Sequence, residues 1–253
     1  MHIDTILSPL ELPALARRDL RGTACVVFDI LRATSTFVTA LHHGAAAIVP
    51  VNEIAKALAL RKENPEFLLA GERDGLRIRA GQSGGVDFDF GNSPREFTPE
   101  RVRGKTIVST TTNGTRALNS CAGARQVLAA AFLNLTATAE FLRREDFTEV
   151  LLVCAGTGDG VATEDVMAAG TLVELLAPHQ GVRGTRSNSS EHARQVYVQA
   201  KTDLTAAIGG SQNGRRLLGL PGISGDVAFC AQADVFNLVA VMQADGALRR
   251  AGS

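Results

Sequence analysis

The chain has 253 residues, of which 45% are hydrophobic and 21% are charged. A chain of this length and composition can bury a substantial core, which excludes an intrinsically disordered protein. Lysine plus arginine and aspartate plus glutamate both number 26, so the net charge is zero and neither nucleic acid nor an anionic membrane is expected as a partner. No segment stays apolar over the ~18 residues that a membrane span needs. No basic signal-peptide region opens the chain, and the four cysteines are widely spaced, so we expect a cytoplasmic protein with reduced thiols.

Short apolar runs alternate with helical stretches along the chain, and this alternation predicts the secondary structure. Strands are predicted over residues 23–28, 45–51, 66–70, 105–109, 124–131 and 149–154, with 235–242 as a candidate closing strand. Helices are predicted over 33–43, 52–62, 134–144 and 164–176, with a short helix ending at Ser120 and a mainly helical region from Ser189 onward. The pattern predicts an α/β fold in which largely parallel or mixed sheets are layered with helices.

Residues 22–63 and 104–144 follow the same order of glycine, strand, polar loop, small helix, strand and asparagine-capped helix. This similarity has two interpretations, an internal duplication or the ordinary appearance of two βαβα units. The chain is accordingly expected to form one α/β unit over 1–253, or two pseudo-similar lobes, about 1–98 and 99–253, that flank a cleft.

Polar and charged residues follow four of the predicted strands. They are Asp29, Arg32, Ser35 and Thr36; Glu72, Arg73 and Asp74; Thr111, Thr112, Asn113 and Gly114; and Glu164 and Asp165. Right-handed crossovers place the carboxyl ends of parallel strands at one edge of a sheet, where ligands bind. We therefore expect these residues to converge there.

The chemistry of this set indicates a small anionic ligand and a metal ion. Carboxylates suit Mg²⁺, which takes few protein ligands. Arginines suit phosphate or sulfonate, and glycines and hydroxyls at helix N-termini offer backbone donors to an anion. Each part also has a structural interpretation. Asp29 could cap the helix 33–43, Glu164 and Asp165 could complement a helix dipole, and residues 110–115 could be only a polar loop.

Several other chemistries are not supported by the sequence. The histidines lack zinc-ligand spacing, and there is no GxGxxG motif after a strand, no Walker A lysine and no GxSxG motif. Haloacid dehalogenase-like phosphatases carry a second aspartate two residues after the first, and Leu31 occupies that position here.

Seven motifs in fixed order give the chain a family resemblance. They are VFDILRATST (27–36), GERDG (71–75), FGNSPRE (90–96), TTTNGT (110–115), FLN (132–134), CAG (154–156) and ED (164–165). Over about residues 1–242 the chain resembles the 2-phosphosulfolactate phosphatases of coenzyme M biosynthesis and their bacterial relatives. The resemblance implies a two-lobed α/β architecture around a cleft. It also implies Mg²⁺-dependent hydrolysis of 2-phospho-3-sulfolactate, which carries a phosphate, a carboxylate and a sulfonate, to 3-sulfolactate and phosphate.

Roles follow as hypotheses from strand-end position and from this resemblance. The catalytic candidates are Asp29, Arg32, Glu72 and Asp165, and the candidate Mg²⁺ ligands are Asp29, Glu72, Asp74, Glu164 and Asp165. The candidate substrate-binding residues are Ser35, Thr36, Arg73, Asn92, Ser93, Thr111, Thr112, Asn113 and Gly114.

Two routes of phosphoryl transfer stay open. One is attack by a water molecule that Mg²⁺ orients, and the other is formation of a phosphoenzyme on Asp29. The alternatives for function are a phosphatase of another small phosphorylated acid and a non-catalytic anion-binding module. A homodimer is the default expectation for assembly.

Overall fold

The computed structural model describes residues 1–177 and 184–252. The strands of this part of the chain are β1 (His2–Ile6), β2 (Thr23–Phe28), β3 (Ala47–Pro50), β4 (Leu68–Arg73), β5 (Leu76–Arg77), β6 (Thr106–Thr110), β7 (Gln126–Ala130), β8 (Glu149–Cys154), β9 (Thr185–Arg186), β10 (Ala240–Met242) and β11 (Leu248–Arg250). The helices are α1 (Ala33–His42), α2 (Ile54–Glu63), α3 (Ala80–Ser83), α4 (Pro99–Val102), α5 (Gly114–Ser120), α6 (Leu135–Arg144), α7 (Thr163–Leu175), α8 (Asn188–Ala200), α9 (Leu204–Gly209), α10 (Gln212–Leu218) and α11 (Gly225–Cys230). Short 3₁₀ helices cover Pro9–Arg17, Pro94–Glu96 and Phe132–Asn134. The predicted α/β class with a mixed sheet is confirmed.

The strongest apolar runs gave the most accurate strand predictions. The strands predicted over 23–28 and 149–154 have those bounds, and the other four form with shifts of one to three residues at their ends. The strand predicted over 235–242 forms only at Ala240–Met242. The sequence analysis missed β1, β5, β9 and β11, because these short or partly polar segments become strands only through pairing with a neighbour. Among the described residues no helix is both long and apolar enough to cross a membrane.

The sheet contains two groups of parallel strands. In the described part of the chain its order is β5-β4-β6-β3-β11-β10-β7-β2-β8-β1-β9. The pairs β3–β11, β11–β10 and β10–β7 are all antiparallel, so the group β4-β6-β3 runs opposite to the group that begins at β7. The expectation that all strands end at one edge therefore holds only within each group.

The two similar segments of the sequence interlock. β2 lies between β7 and β8, so that Phe28 pairs with both Ala130 and Cys154. In the same way, β6 lies between β3 and β4, where Ser109 pairs with both Pro50 and Ala70. The first strand of each segment is thus inserted between the second strand of the other segment and the strand that follows that segment. This reciprocal exchange favours the interpretation as an internal duplication.

Close packing around the central strands positions the site. β2 is buried at all six positions, which explains its continuous apolar sequence. The helix that follows it, α1, is buried from Ala33 to Leu41 and has mostly small side chains, so it packs close to the sheet. On α7, a Cβ atom at Gly170 would lie 2.0 Å from the carbonyl oxygen of Ala193 on α8. Glycine is therefore needed where these two helices touch.

The interlocked strands predict how the two halves of the chain behave alone. Within residues 1–98 the only strand pair is β4–β5, because β1, β2 and β3 find their partners beyond residue 98. We expect a 1–98 fragment to lack cooperative unfolding by circular dichroism in urea, and co-expression with 99–253 to restore a folded complex. A cooperative transition in the isolated 1–98 fragment would instead support two separate lobes. Until that measurement, the division into lobes stays a prediction.

Candidate active site

A cleft of about 250 Å³ is lined by residues that follow β2 and β8 of one strand group and by residues at the ends of β4 and β6 of the other, so the two groups meet here although they run in opposite directions. Among the residues predicted from sequence, Asp29, Arg32, Glu72, Asp74, Asn92, Thr112 and Asn113 line it. The lining residues that were not among the predicted site residues are Leu31, Gly75, Gly156, Thr157, Gly158, Asn213, Arg216 and Leu217. Predicted residues from three strand ends thus share one cleft, and helix α10, which the sequence did not connect with them, also lines it.

Asp29 both caps a helix and faces the cleft. Its Oδ1 accepts the backbone N–H of Ala33 at 3.1 Å, at the first turn of α1. The Thr34 hydroxyl donates to the carbonyl oxygen of Asp29 and lies 3.0 Å from the Asp29 backbone nitrogen, whose N–H it accepts. One carboxylate oxygen is thus fixed by the helix, while the side chain lines the cleft. The capping and functional interpretations of Asp29 are compatible.

Gly114 allows the first residues of α1 and α5 to meet. A Cβ atom at Gly114 would lie 2.6 Å from Asp29 Oδ2 and 2.6 Å from Ala33 Cβ. The start of α5 also repeats the arrangement at Asp29, because the Thr115 hydroxyl donates to the carbonyl oxygen of Thr111 at 3.0 Å. The geometry gives Gly114 a packing role beside Asp29, and its role in substrate binding stays a prediction.

Asp165 and Glu72 hold the two strand-end loops in equivalent ways. Asp165 accepts the N–H of Ile30 on Oδ1 at 2.8 Å and that of Gly156 on Oδ2 at 3.0 Å. Glu72 accepts the N–H and the hydroxyl of Thr112 on Oε1, both at 2.9 Å, and the N–H of Gly75 on Oε2 at 2.8 Å. All four carboxylate oxygens are therefore engaged with the loops. Both residues were candidate metal ligands, and this geometry favours a positioning role.

Glu164 differs from these two carboxylates because one of its oxygens is unpartnered. Its Oε1 accepts the Asn213 amide at 2.6 Å, and the same amide nitrogen donates to the Thr157 hydroxyl at 2.6 Å. Its Oε2 is buried without a hydrogen-bond partner. A buried polar atom of this kind is destabilising by about 1–3 kcal/mol unless a ligand satisfies it. Asp74 is the opposite case, since its side chain is 95% exposed at the tip of the β4–β5 turn.

Burial and neighbouring carboxyl groups raise the pKa values of Asp29 and Asp165. Burial raises the pKa of Asp29 to about 7, and the nearby charges of Glu72 and Glu164 add to the effect. Burial, together with the charges of Asp29 and Glu164, also raises the pKa of Asp165 well above its ordinary value. The site therefore concentrates negative charge that a bound cation would stabilise.

Arg32 is held by a buried acidic partner that sequence analysis did not identify. Its guanidinium donates to Asp226 Oδ2 at 2.7 Å and to the carbonyl oxygen of Gly75 at 2.6 Å. The Ser93 hydroxyl donates to the other oxygen of Asp226 at 2.7 Å. Asp226 is fully buried on α11, so this network fixes the C-terminal helices to the strand ends.

The remaining candidate substrate-binding residues make structural contacts. Arg73 donates to the carbonyl oxygen of Glu72 and to the Thr110 hydroxyl, and it is not among the residues that line the cleft. The Ser35 hydroxyl donates to the carbonyl oxygen of Ile30, and the Thr36 hydroxyl to that of Asn92. The Thr111 hydroxyl accepts the N–H of Thr115. These contacts position Asp29 and Asn92, and direct substrate contact by these side chains stays a prediction.

The residues present can be tested for their fit to Mg²⁺. The described part of the chain contains no group of three or more histidine, cysteine, aspartate or glutamate side chains arranged to hold a metal. Mg²⁺, however, commonly takes only one or two protein carboxylates and completes its octahedron with water and phosphate oxygens. Asp29 Oδ2 and the unpartnered Oε2 of Glu164 are hard oxygen ligands of that kind. The residues therefore fit the ion, with fewer protein ligands than the sequence analysis proposed.

The missed cleft residues on α10 carried a weak sequence signal. Asn213 and Arg216 are three residues apart, a spacing that places both side chains on one helix face. Nothing in the sequence linked that face to the strand ends, because α10 reaches the cleft through tertiary packing.

The raised pKa of Asp29 predicts a stability change in the Asp29→Asn variant. The buried carboxyl binds its proton more tightly in the folded state than in the unfolded state, so stability is lost as pH rises from about 4 to 7. Asparagine keeps the oxygen that accepts the Ala33 N–H and carries no charge. In EDTA at pH 8 we expect Asp29→Asn to stabilise the fold by at most about 4 kcal/mol, with a much smaller gain at pH 4.

Urea unfolding at the two pH values measures this difference. The matched control is Asp159→Asn, in an exposed turn, for which we expect a change within about 0.5 kcal/mol. A gain in the Asp29 variant that is equal at both pH values would contradict the assignment of a buried, charge-strained carboxyl.

Known proteins with similar sequences show the family to which the chain belongs. The sequence profile described as 2-phosphosulpholactate phosphatase matches residues 11–245. A protein of Pseudothermotoga lettingae named "Probable 2-phosphosulfolactate phosphatase" is 39% identical over 228 residues, covering 90% of this chain and 92% of its own. A protein with the same name from Caldanaerobacter subterraneus is 37% identical, and the match covers 88% of this chain and 88% of that protein. Another from Synechococcus is 36% identical, and the match covers 99% of this chain and 98% of that protein. The chain therefore belongs to the 2-phosphosulfolactate phosphatase family, whose activity is that of a phosphoric monoester hydrolase.

Proposed function

We propose that the protein is a cytoplasmic, Mg²⁺-dependent phosphatase that hydrolyses 2-phospho-3-sulfolactate, or a similar phosphorylated hydroxy acid, to the free hydroxy acid and phosphate. Family membership supports the reaction class. The observation that carries the proposal is the pair of carboxylates Asp29 and Glu164, one facing the cleft and one with an unpartnered buried oxygen. The four free, buried cysteines are consistent with a reducing compartment.

Asp29 and Glu164 would hold the ion. When bound, Mg²⁺ would neutralise charge on the phosphoryl oxygens of the substrate. Asn213 fixes Glu164 by donating to its Oε1, which leaves Oε2 available. Asp165 and Glu72 keep the adjoining loops in place through their N–H contacts.

Asp29 would take part in either route of phosphoryl transfer. Because the Ala33 N–H fixes its Oδ1, the other oxygen is held in one orientation beside Gly114. From that position the carboxylate would orient a water molecule that attacks phosphorus, or would attack phosphorus itself to form an aspartyl phosphate that water later hydrolyses. In both routes the bond between phosphorus and the hydroxy acid oxygen breaks and the hydroxy acid leaves. Both routes require the ionised form of Asp29. The starts of α1 and α5 meet at this point, and the positive end of α1 would favour a bound phosphate.

Phosphate release is the direct test of the proposal. With Mg²⁺ we expect release from a panel of 2-phosphosulfolactate, phospholactate and phosphoglycolate, with the highest kcat/KM for 2-phosphosulfolactate, and loss of release in EDTA. Asp29→Asn should be folded and inactive, because it removes the ionised oxygen. Both measurements use a colorimetric phosphate assay on the purified full chain.

Other outcomes would redirect the assignment. Metal-dependent release that is strongest on another member of the panel would keep the mechanism and change the substrate. No release from any substrate by folded protein would contradict the phosphatase proposal and favour anion binding alone. Full activity in EDTA would contradict the metal role of Asp29 and Glu164.

The contact at Gly114 predicts a second effect on activity. In Gly114→Ala the new methyl group would clash with Asp29 Oδ2 and Ala33 Cβ, so the carboxylate must move. A shift of about 1 Å in a catalytic group can lower the rate about 100-fold, and we expect kcat to fall by about that factor. The control is Gly123→Ala, where a Cβ atom would meet no other atom within 4 Å. Equal kcat values in the two variants would contradict the positioning of Asp29 by this contact.

A further inference from the structure

Arg216 is a cleft-lining arginine outside the strand ends. It belongs to the last turn of α10 and lines the same cleft as Asp29 and Glu72. Its guanidinium lies 3.9 Å from the carboxylate of Asp74, which stands on the β4–β5 turn. Both side chains are in contact with water, with 47% of Arg216 and 95% of Asp74 exposed. Exposed ion pairs are weak and are readily exchanged for another partner.

The other arginines near the cleft are committed to the protein. Arg32 forms a buried ion pair with Asp226 and donates to the carbonyl oxygen of Gly75. Arg73 is bound to the Thr110 hydroxyl and does not line the cleft. Among the described residues that line the cleft, Arg216 is therefore the arginine whose charge a ligand can most easily use.

The turn that carries Asp74 keeps its carboxylate at the entrance. Asp74 and Gly75 both have positive φ angles, 56° and 75°, in the two-residue loop between β4 and β5. This is the conformation of a type I′ hairpin turn, which favours aspartate or asparagine followed by glycine. The Gly75 N–H donates to Glu72 and its carbonyl oxygen accepts from Arg32, so the turn is fixed to the site. Asp74 thus stays beside Arg216 and outside the buried carboxylate cluster.

We propose that Arg216 determines substrate class by binding a second anionic group, a carboxylate or sulfonate, of a small phosphate monoester. Asp74 is the counter-ion that Arg216 exchanges for this group when the substrate enters. The inference rests on the proposed phosphatase function, and it assigns the phosphate to the part of the cleft that Asp29 lines. It also explains why Asp74, a candidate metal ligand by sequence, lies exposed at the entrance.

The test compares three phosphate esters that differ in their additional acid groups. They are 2-phosphosulfolactate, phospholactate and isopropyl phosphate, which carries only the phosphate. In Arg216→Ala we expect the ratio of kcat/KM for 2-phosphosulfolactate to that for isopropyl phosphate to fall about 10- to 100-fold, mainly through KM, because a charge-assisted hydrogen bond is lost. Arg216→Lys should keep part of the ratio, since it keeps the charge but not the planar fork.

Two further variants sharpen the comparison. Arg215→Ala removes the same charge from the neighbouring exposed position of α10, which does not line the cleft, and should leave the ratio within about 2-fold of wild type. Asp74→Asn removes the competing carboxylate while keeping a residue suited to the turn, and should lower KM for 2-phosphosulfolactate. If Arg216→Ala does not fold, Arg216→Gln replaces it.

Binding of the product 3-sulfolactate, measured by calorimetry, separates failure of this inference from failure of the phosphatase proposal. If wild type hydrolyses the esters and Arg216→Ala leaves both the substrate ratio and sulfolactate affinity unchanged, Arg216 has no role in selection and the phosphatase proposal stands. If wild type hydrolyses none of them, the phosphatase proposal fails. In that case the affinity for 3-sulfolactate tests the role of Arg216 by itself. If Arg216→Ala loses this affinity and Arg215→Ala keeps it, the result supports anion binding by Arg216. No binding, or an equal loss in both variants, overturns it.

Discussion

Asp29, Glu72, Glu164 and Asp165 place four acidic side chains in a region from which water is largely excluded. Buried charges are strongly destabilising unless hydrogen bonds or opposite charges compensate them. The protein compensates Asp165 and Glu72 with backbone N–H groups from the loops that those residues hold. Asp29 and Glu164 each have one oxygen held by a donor, Oδ1 by the Ala33 N–H and Oε1 by the Asn213 amide, and Oε2 of Glu164 is buried without a partner. Asp29 and Glu164, which each have one oxygen held by a donor, are therefore suited to bind an ion. Asp165 and Glu72, which have both oxygens held, maintain the loops.

The interlocked topology explains why this cluster can exist at all. Asp29 follows β2, Glu72 belongs to β4 and Asp165 lies on α7, so the acidic residues come from both halves of the chain. Because β2 and β6 are exchanged between the segments, the helices that follow them begin against each other, and Gly114 and Ala33 are small enough to touch. The two halves also brace their loops alike, with Asp165 bound to the residue after Asp29 and Glu72 bound to the residue after Thr111. Neither half contains the site without the other.

The sequence predicted those parts of the fold and site that depend on local signals. Buried strands such as β2 and β8 have continuous apolar sequences, and the residues directly after them could be placed at strand ends. Sequence could not show whether a carboxylate oxygen would be free or engaged, which is why Glu72 was placed among the catalytic candidates and Glu164 only among the candidate metal ligands. Asp226, Asn213 and Arg216 were missed because tertiary packing brings their helices to the cleft. The opposite directions of the two strand groups were also hidden, since they depend on the short strands β10 and β11.

The distribution of charge across the cleft favours catalysis over simple anion binding. A site that only bound an anion would be weakened by buried carboxylates, because each repels the ligand. Here the acidic cluster lies at the strand ends, while Arg32, the nearest cation, is already paired with Asp226. On the proposed function, an anionic substrate would need a cation at the acidic end and would gain from the exposed Arg216 at the entrance. A phosphate ester with a second acid group would meet both requirements, because Mg²⁺ held by the carboxylates would offset their repulsion of the phosphate.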